Sequence, residues 1–331
     1  MKVLITGGAG YIGAVVTEHL LSIGMEVVVL DKLLYGGESL IGFFANSRFT
    51  LRQGDVRDRA DVLEAMRGCS AVIHLAAIVG EPACGIDPEA SWSINYAGTE
   101  NVLAAVAESG IERLIYVSTC SNYGISDPNT LADETFPLQP LSKYAESKTG
   151  AENLVLANAP PTCCTVLRFG TICGLSPRMR FDLLVSEMAR SAVLNEPIGI
   201  FGPTAWRPFL HARDAGRAIE HLLATPEEKI RGRVFNVVGE NCQKSDLVNL
   251  VLKHYPKTAI EVTEKQPDLR DYRVSAERIK NELGFTPKYT VEDAFLETAA
   301  AVAKGVFRDP KWTGHSAVAI TPSDMRVSKK E

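Results

Sequence analysis

A glycine-rich turn near the N-terminus limits the fold of this chain more than any other feature. Residues 6–13 have the sequence Thr-Gly-Gly-Ala-Gly-Tyr-Ile-Gly, between an apolar strand and a helix with apolar residues at helical spacing. Glycines at this spacing allow a tight turn and let the backbone approach a pyrophosphate, whose charge then meets free N–H groups at the positive end of a helix. The turn therefore predicts a dinucleotide-binding site.

Short apolar runs alternate with helix-like stretches over the first half of the chain. Strands are predicted at residues 2–6, 26–30, 49–53, 71–75, 113–118 and 165–169, and helices at residues 11–23, 60–66, 92–109 and 142–157. This alternation predicts the α/β class, with a Rossmann-type doubly wound parallel sheet. Segments rich in Pro and Gly after residue 169 indicate a smaller C-terminal substrate-binding lobe.

The predicted domain boundaries follow this change of pattern. Residues 1–170 are assigned to the dinucleotide-binding domain, with a segment at about 208–240 that returns to it. Residues 171–207 and 241–319 are assigned to the substrate-binding lobe, and the polar residues 320–331 are expected to be mobile.

Composition argues against several kinds of partner. The net charge is −5 and no long basic run occurs, so neither nucleic acid nor an anionic membrane is an expected partner. No apolar stretch approaches the roughly 18 residues of a membrane helix. The 7 cysteines form no Cys-x-x-Cys pair and are odd in number, so no metal site or disulfide framework is expected. A reducing compartment, the cytoplasm, fits this cysteine usage better.

A carboxylate at the end of the second strand favours NAD as the dinucleotide. Asp31 follows Gly13 at about the interval expected for a ribose-binding acid, and a carboxylate would repel the 2′-phosphate of NADP. The adjacent Lys32 leaves NADP open. Asp55 follows the third strand and could meet adenine, or could serve only as a turn or helix-capping acid. The cofactor-binding residues predicted from these patterns are Gly7, Gly10, Tyr11, Ile12, Gly13, Asp31, Lys32, Asp55, Val56, Leu75, Ala76 and Ala77.

A tyrosine and a lysine four residues apart form the candidate catalytic pair. Tyr144 and Lys148 share one face of a predicted helix, although a surface helix pair is the alternative. A nearby ammonium is expected to lower the Tyr144 pKa from its usual value of about 10, which suits proton transfer near neutrality. Thr119 follows a strand at the edge of the sheet where ligands bind, so its hydroxyl could bond the same reacting oxygen.

These motifs together resemble the extended short-chain dehydrogenase/reductase family, in its NAD-dependent nucleotide-sugar epimerase/dehydratase branch. The segments that carry the resemblance are residues 6–13, 74–77, 94–101, 118–124, 144–148, 167–169, 207–214 and 283–287. The resemblance implies a tightly held NAD and adds Asn95, Tyr144 and Lys148 to the residues expected to contact it. It also implies that Thr119, Tyr144 and Lys148 form a catalytic trio. It also implies a homodimer in which the helices at 92–109 and 142–157 form a four-helix bundle.

The same resemblance implies a nucleotide-diphosphate sugar as substrate, held by arginines. The matching positions are Arg207 and Arg270, and the guanidinium fork suits a diphosphate. Arg178 and Arg180 are further candidates for phosphate or sugar contacts, with a solvated basic loop as the alternative. Ser121 is a further candidate for contact with the sugar.

Two departures from the family pattern bear on the reaction. Sugar 4,6-dehydratases of this branch carry Asp-Glu after the catalytic Thr, whereas this chain has Cys120 and Ser121, so elimination of water is disfavoured. Cys120 is interpreted mainly as a small apolar filler, with an acid–base role at the substrate left open. The usual Asn-x-Tyr-Gly-Pro is replaced at residues 171–175 by Thr-Ile-Cys-Gly-Leu, which leaves substrate orientation open.

The hypothesis favoured by these features is a nucleotide-sugar 4-epimerase that acts through a transient 4-keto sugar. A dehydrogenase or 4-ketoreductase with net redox is the alternative, because the same residues would serve. A 4,6-dehydratase and a non-catalytic dinucleotide-binding regulator are less favoured. The sequence leaves the nucleotide and the sugar open.

Overall fold

The computed structural model describes residues 1–124, 130–157, 162–262, 270–307, 309–311 and 321–325. The strands in these ranges are β1 (Lys2–Thr6), β2 (Glu26–Asp31), β3 (Phe49–Gln53), β4 (Ala71–His74), β5 (Arg113–Thr119), β6 (Leu131–Ala132), β7 (Cys163–Phe169), β8 (Thr171–Cys173), β9 (Ile198–Ile200), β10 (Trp206–His211), β11 (Arg233–Val237), β12 (Glu240–Gln243), β13 (Ile260–Val262) and β14 (Arg273–Val274). The helices are α1 (Tyr11–Ser22), α2 (Arg59–Met66), α3 (Glu81–Cys84), α4 (Pro88–Trp92), α5 (Gly98–Ser109), α6 (Lys143–Ala157), α7 (Leu184–Val193), α8 (Ala212–Ala224), α9 (Glu227–Ile230), α10 (Lys244–His254), α11 (Glu277–Leu283), α12 (Val291–Ala303) and α13 (Pro322–Met325).

The large sheet is parallel throughout. Among the described residues it has seven strands in the order β3-β2-β1-β4-β5-β7-β11. The apolar runs of β1, β4 and β7 are buried because helices cover both faces of the sheet. This arrangement confirms the predicted Rossmann-type sheet, and the direction of winding reverses between β1 and β4, where such folds bind ligands.

A second group of elements follows β7. β8, β10 and β12 form a three-stranded sheet, and β9 pairs with β13. The helices α7 and α12 pack on each other over a separate apolar cluster that includes Met188 and Phe295. β11 returns to the large sheet beside β7, whereas β10 stays with the smaller one. The exact domain boundaries assigned above remain predictions.

The long helix predicted at residues 92–109 is interrupted. A π-helical turn at Ser93–Ala97 separates α4 from α5. Asn95 lies in this turn and both polar atoms of its amide bond to the backbone of Ile78, at 2.8 and 2.9 Å. Such turns often occur at functional sites, and here the wider turn directs one side chain toward the segment that follows β4.

Part of the C-terminal segment expected to be mobile is described. Residues 321–325 include α13, whose Met325 is fully buried and accepts a hydrogen bond from Arg57 Nη2 at 2.7 Å. The rest of 320–331 lies outside the described residues, so the expected mobility stays a prediction. Within the described ranges, none of the helices has the length and apolar character of a membrane span.

Candidate active site

A cavity of about 510 Å³ lies at the carboxyl edge of the large sheet. It brings together most of the residues singled out from the sequence. The predicted site residues that line it are Gly7, Gly10, Tyr11, Ile12, Gly13, Asp31, Lys32, Asp55, Val56, Leu75, Ala76, Ala77, Thr119, Ser121, Tyr144, Lys148, Arg178, Arg180 and Arg270. Three others, Asn95, Cys120 and Arg207, are not among its lining residues.

The glycine turn is packed so closely that side chains would not fit. Gly7 has a φ of +75°, and a Cβ there would lie 2.8 Å from the backbone of Ala76. A Cβ on Gly13 would collide with the carbonyl oxygen of Gly7 and lie 2.6 Å from Gly8 Cα. No side chain caps the start of α1, so its first N–H groups remain for a ligand. The close packing and the uncapped helix fit the pyrophosphate of a dinucleotide.

Asp31 braces the glycine turn from the end of β2. Its Oδ2 accepts from the N–H of Ala9 at 2.9 Å, and its Oδ1 accepts from the N–H of Leu33 at 2.8 Å. Burial raises the pKa of Asp31, and the two N–H groups oppose that rise. Each carboxylate oxygen can accept a second hydrogen bond, so Asp31 can serve the ribose and hold the turn at once.

The cations beside Asp31 are already paired. Arg57 binds Asp55 through Nε at 3.0 Å and Nη2 at 2.7 Å, and Lys32 Nζ lies 3.4 Å from the same carboxylate. Burial alone would raise the pKa of Asp55, but Arg57 and Lys32 hold it below its usual value. Because Asp55 offsets both cations, this end of the cavity is poorly suited to a 2′-phosphate and favours NAD. Arg57 was not among the residues predicted from the sequence, and a contact between Asp55 and adenine stays a prediction.

Thr119, Tyr144 and Lys148 meet at the opposite end of the cavity. Thr119 is the last residue of β5, and its hydroxyl hydrogen-bonds the phenol of Tyr144. The same hydroxyl accepts from the N–H of Ser121 at 3.1 Å, which orients it. Lys148 follows Tyr144 by one turn of α6, is almost fully buried, and places Nζ 4.2 Å from the ring centroid of Tyr116. Backbone position and hydrogen bonding therefore bring the three predicted catalytic residues together.

The electrostatics of this trio differ from the expectation. Burial raises the pKa of Tyr144 to about 12, although Thr119 and Arg180 act in the opposite direction. Burial also lowers the pKa of Lys148 to about 7, and the nearby Glu152 opposes this change. The predicted lowering of the Tyr144 pKa is therefore wrong for the protein without a ligand. Both groups lose hydration in the same closed site, and desolvation outweighs their attraction.

Two residues predicted to touch a ligand hold neighbouring segments of the cavity wall in place. Asn95 bonds Ile78 and also donates to the hydroxyl of Ser147 at 3.0 Å. Arg207 donates to the carbonyl of Trp206 at 2.7 Å and to that of Arg270, so it holds the segment that carries Arg270. Neither is among the residues that line the cavity, so these contacts give both a supporting role, and their predicted contacts with ligands stay predictions.

Cys120 also lies behind the wall of the cavity and not in its lining. It is 1% exposed, and its thiol donates to the carbonyl of Arg168 at 3.4 Å. Burial raises the pKa of this thiol and its side chain is packed out of the cavity, so the packing interpretation is favoured over an acid–base role, which stays untested. The next residue, Ser121, does line the cavity and accepts a hydrogen bond from Tyr272 at 3.4 Å.

A buried glutamate behind the catalytic strand was missed in the sequence. Glu152 lies two turns after Tyr144 on α6 and accepts from Ser118 at 2.6 Å and from Arg168 at 3.0 Å. Asn122 donates to it as well, at 3.2 Å. Glu152 thus holds the segment around Thr119 from beneath. The sequence held a signal for Glu152, because residues 144, 148 and 152 share one face of the predicted helix.

Carboxylates occur at only one end of the cavity. Of the described residues that line it, the acidic ones are Asp31 and Asp55, both beside the second and third strands. No lining carboxylate in the described part of the chain accompanies Tyr144. The described lining can therefore move a proton through a phenol and a hydroxyl, and among these residues it offers no acid pair for elimination of water.

Comparison with known proteins places these features in context. The sequence model of the NAD dependent epimerase/dehydratase family matches residues 3–238. The chain is 28% identical over 326 residues to a UDP-glucose 4-epimerase of Corynebacterium glutamicum, covering 91% of this chain and 96% of the relative. It is 28% identical over 314 residues to a dTDP-glucose 4,6-dehydratase of an Actinoplanes species, covering 91% and 97%. The crystal structure of a Thermus thermophilus UDP-glucose 4-epimerase in complex with NAD is similar, with a TM-score of 0.80 and 26% identity, covering 93% of this chain and 100% of that one.

Proposed function

This chain belongs to the NAD dependent epimerase/dehydratase family and uses NAD, and we propose that it is a 4-epimerase of a nucleotide-diphosphate sugar. The observation that carries the proposal is the hydrogen bond between Thr119 and Tyr144, with Lys148 one turn away and no lining carboxylate beside them among the described residues. This set of groups can oxidise and reduce an alcohol without removing water.

The residues have separate roles in the proposed reaction. When bound, NAD supplies a reversible acceptor for the hydride at C4 of the sugar. Tyr144, as its phenolate, accepts the C4 hydroxyl proton and later returns it, and Thr119 hydrogen-bonds the same oxygen. Lys148, in its protonated form, favours that phenolate. Return of hydride and proton to the other face of the 4-keto sugar inverts C4.

The residues after Thr119 separate this proposal from a 4,6-dehydratase. Elimination of water needs an acid and a base near C5 and C6 of the sugar. At the corresponding positions Cys120 is buried with a raised pKa, and Ser121 offers only a hydroxyl. Net oxidation or reduction of a nucleotide sugar remains the second candidate, because the same trio would perform it if the cofactor or the keto sugar left the site.

Arg270 is the residue that we expect to bind the substrate diphosphate. It lines the cavity, and the hydrogen bond from Arg207 to its carbonyl holds its backbone in place. A guanidinium can bind phosphate oxygens bidentately. We propose a reducing compartment such as the cytoplasm for the reaction, since the 7 cysteines are odd in number and form no Cys-x-x-Cys pair.

We also infer a homodimer formed through α5 and α6. Trp92 is 44% exposed, stacks on Tyr96 with ring centroids 5.0 Å apart, and lies above Gly150 of α6. An exposed tryptophan stacked on a half-buried tyrosine, at the end of α4 and in the turn before α5, is suited to pack against a second copy.

The test is incubation with UDP-, dTDP- and GDP-hexoses and the corresponding uronic acids, followed by NMR of the products. We expect at least one C4 epimer with no net NADH, and Tyr144→Phe should lower kcat by roughly 10²–10⁴-fold because it removes the proton carrier. Tyr255→Phe, a tyrosine outside the cavity lining, is the control. A keto-deoxy product, steady release of NADH, or full activity of Tyr144→Phe would contradict the epimerase.

A further inference from the structure

The loop that follows β8 is fastened to the first residue of α1. Tyr11 donates its hydroxyl proton to the carbonyl of Gly174, and Ser176 Oγ donates to the carbonyl of Tyr11 at 2.8 Å. Ser176 also accepts from the N–H of Arg178 at 3.2 Å. The position of Arg178 is thus set relative to the start of α1, although the two lie in different halves of the chain.

Arg178 lines the cavity from this loop. It is only 7% exposed, and its guanidinium carbon lies 4.3 Å from the ring centroid of Tyr35, which follows β2 on the cofactor side. Its Nη1 donates to the carbonyl of Met179 at 3.0 Å, which further fixes the side chain. Stacking and this bond leave the fork of the guanidinium in a defined orientation, as anion binding requires.

Arg180 adds a second cation on the same wall. Asp182 accepts from its Nε at 3.2 Å and from its Nη2 at 2.5 Å, which holds it against the cavity. Its charge acts on Tyr11, Tyr35 and Tyr144, lowering the pKa of each against the effect of burial. Arg180 therefore lies between the start of α1 and the catalytic tyrosine.

The two walls complement each other. The glycine turn offers backbone N–H groups at the uncapped start of α1, and the loop after β8 brings two guanidinium groups toward the same part of the cavity. We propose that Arg178, assisted by Arg180, binds the pyrophosphate of NAD rather than the diphosphate of the sugar. This assigns to the cofactor two residues that the sequence analysis assigned to the substrate.

The arrangement has a consequence for cofactor retention. The loop belongs to the segment that leads into α7 of the smaller group of elements, so the pyrophosphate would be held between both parts of the chain. Release of NAD would then require the loop to separate from Tyr11 and Tyr35. An epimerase benefits from such retention because the same cofactor must return the hydride. The inference concerns NAD binding and does not depend on which sugar is the substrate.

The test measures ligand affinity in the absence of turnover. Isothermal titration of the stripped protein with NAD should give a Kd raised about 10- to 100-fold in Arg178→Met, as expected for loss of a charge-assisted hydrogen-bond pair. Arg178→Lys keeps the charge but not the bidentate geometry, so its Kd for NAD should lie between those of the native protein and Arg178→Met. The matched control is Arg213→Met, since Arg213 also stacks on a tyrosine, with 5.3 Å between Cζ and the Tyr289 centroid, but lies outside the cavity lining.

A series of adenine ligands of increasing size shows which part of NAD Arg178 contacts. Adenosine should bind Arg178→Met and the native protein with equal affinity. The affinity of Arg178→Met for ADP and ADP-ribose should fall by the same factor as its affinity for NAD. UDP and dTDP represent parts of the substrate, and the Kd of each should differ by less than about twofold between Arg178→Met and the native protein. An unchanged Kd for NAD with weakened UDP or dTDP would overturn the proposal, and so would an equal loss for adenosine. Absence of any C4 epimer from the native protein with NAD bound, beside the predicted loss of NAD affinity in Arg178→Met, would instead count against the proposed function alone. Circular dichroism and the Tm of each variant verify folding.

Discussion

Tyr144 and Lys148 show how one environment acts on two groups in opposite directions. Burial favours the neutral form of each, so the pKa of the phenol rises to about 12 while that of the ammonium falls to about 7. In the protein without ligand the phenol is therefore neutral near pH 7, whereas Lys148 is only partly protonated. The proposed reaction needs the phenolate beside the ammonium, so a bound cofactor and substrate must favour the charged forms of both groups.

Replacement of Lys148 by Met is predicted to stabilise the cofactor-free protein, most strongly at low pH. The pKa of Lys148 is about 7 in the folded state against 10.5 in the unfolded chain, so the cost of burying the charge is fully present below pH 7. That cost falls by about 1.4 kcal/mol per pH unit between pH 7 and 10.5. The stabilisation by Lys148→Met should shrink accordingly in urea titrations from pH 6 to 9.

Lys143→Met, on the same helix but 66% exposed, is the control for this measurement. It should change the free energy of unfolding by less than about 1 kcal/mol, with little dependence on pH. A Lys148→Met protein that is less stable than the native one at pH 6 would contradict the inferred burial cost.

The glycine turn and α1 act as one element. Gly13 lies in the first turn of the helix, and its missing side chain lets the helix approach the backbone of Gly7 and Gly8. The turn also holds Asp31 through Ala9 and the loop after β8 through Tyr11. A change in the turn should therefore affect cofactor binding and stability together.

Gly13→Ala is predicted to lose NAD and about 1–3 kcal/mol of unfolding free energy, as is usual for overpacking. The new Cβ would meet backbone atoms, which cannot move aside as a flexible side chain can. Gly42→Ala is the control, because no atom lies within 4 Å of a Cβ there. Denaturant titration and the NAD content after denaturation give the two readouts. Native NAD content in Gly13→Ala would show that the turn tolerates a side chain.

At the scale of the molecule, the surface of α5 and α6 lies beside the catalytic residues. Glu152 and Lys148 face inward on α6, whereas Gly150 lies beneath the exposed Trp92–Tyr96 pair. Pairing of two copies through this surface would cover the aromatic pair and restrict motion of the helix that carries Tyr144.

Trp92→Glu is predicted to sediment as a monomer, and the native protein is predicted to sediment as a dimer. A charge in the centre of an apolar contact loses hydration without a partner, and the cost exceeds what a modest interface can supply. Val306→Glu, at a site that is 66% exposed and lies outside α5 and α6, should remain dimeric. A dimer that persists in Trp92→Glu would place the interface elsewhere.

Features that depend on neighbours in the sequence could be predicted directly from it. The strand, glycine turn and helix, the acid at the end of β2, and the shared face of Tyr144 and Lys148 all follow from local spacing and backbone geometry. The position of Thr119 at the end of its strand follows in the same way. Such patterns were sufficient for the parallel sheet and, together with the family resemblance, for about half of the residues of the cavity wall.

Other properties arise where segments far apart in the chain meet and exclude water. Burial of Cys120 behind Thr119 and the stacking of Arg178 on Tyr35 have no signal in local spacing. The pKa of Tyr144 is the clearest case, because hydration depends on every element around the phenol and not on the lysine one turn away. Sequence spacing thus identifies which groups can react, while folding sets their charge and the ligand that each one faces.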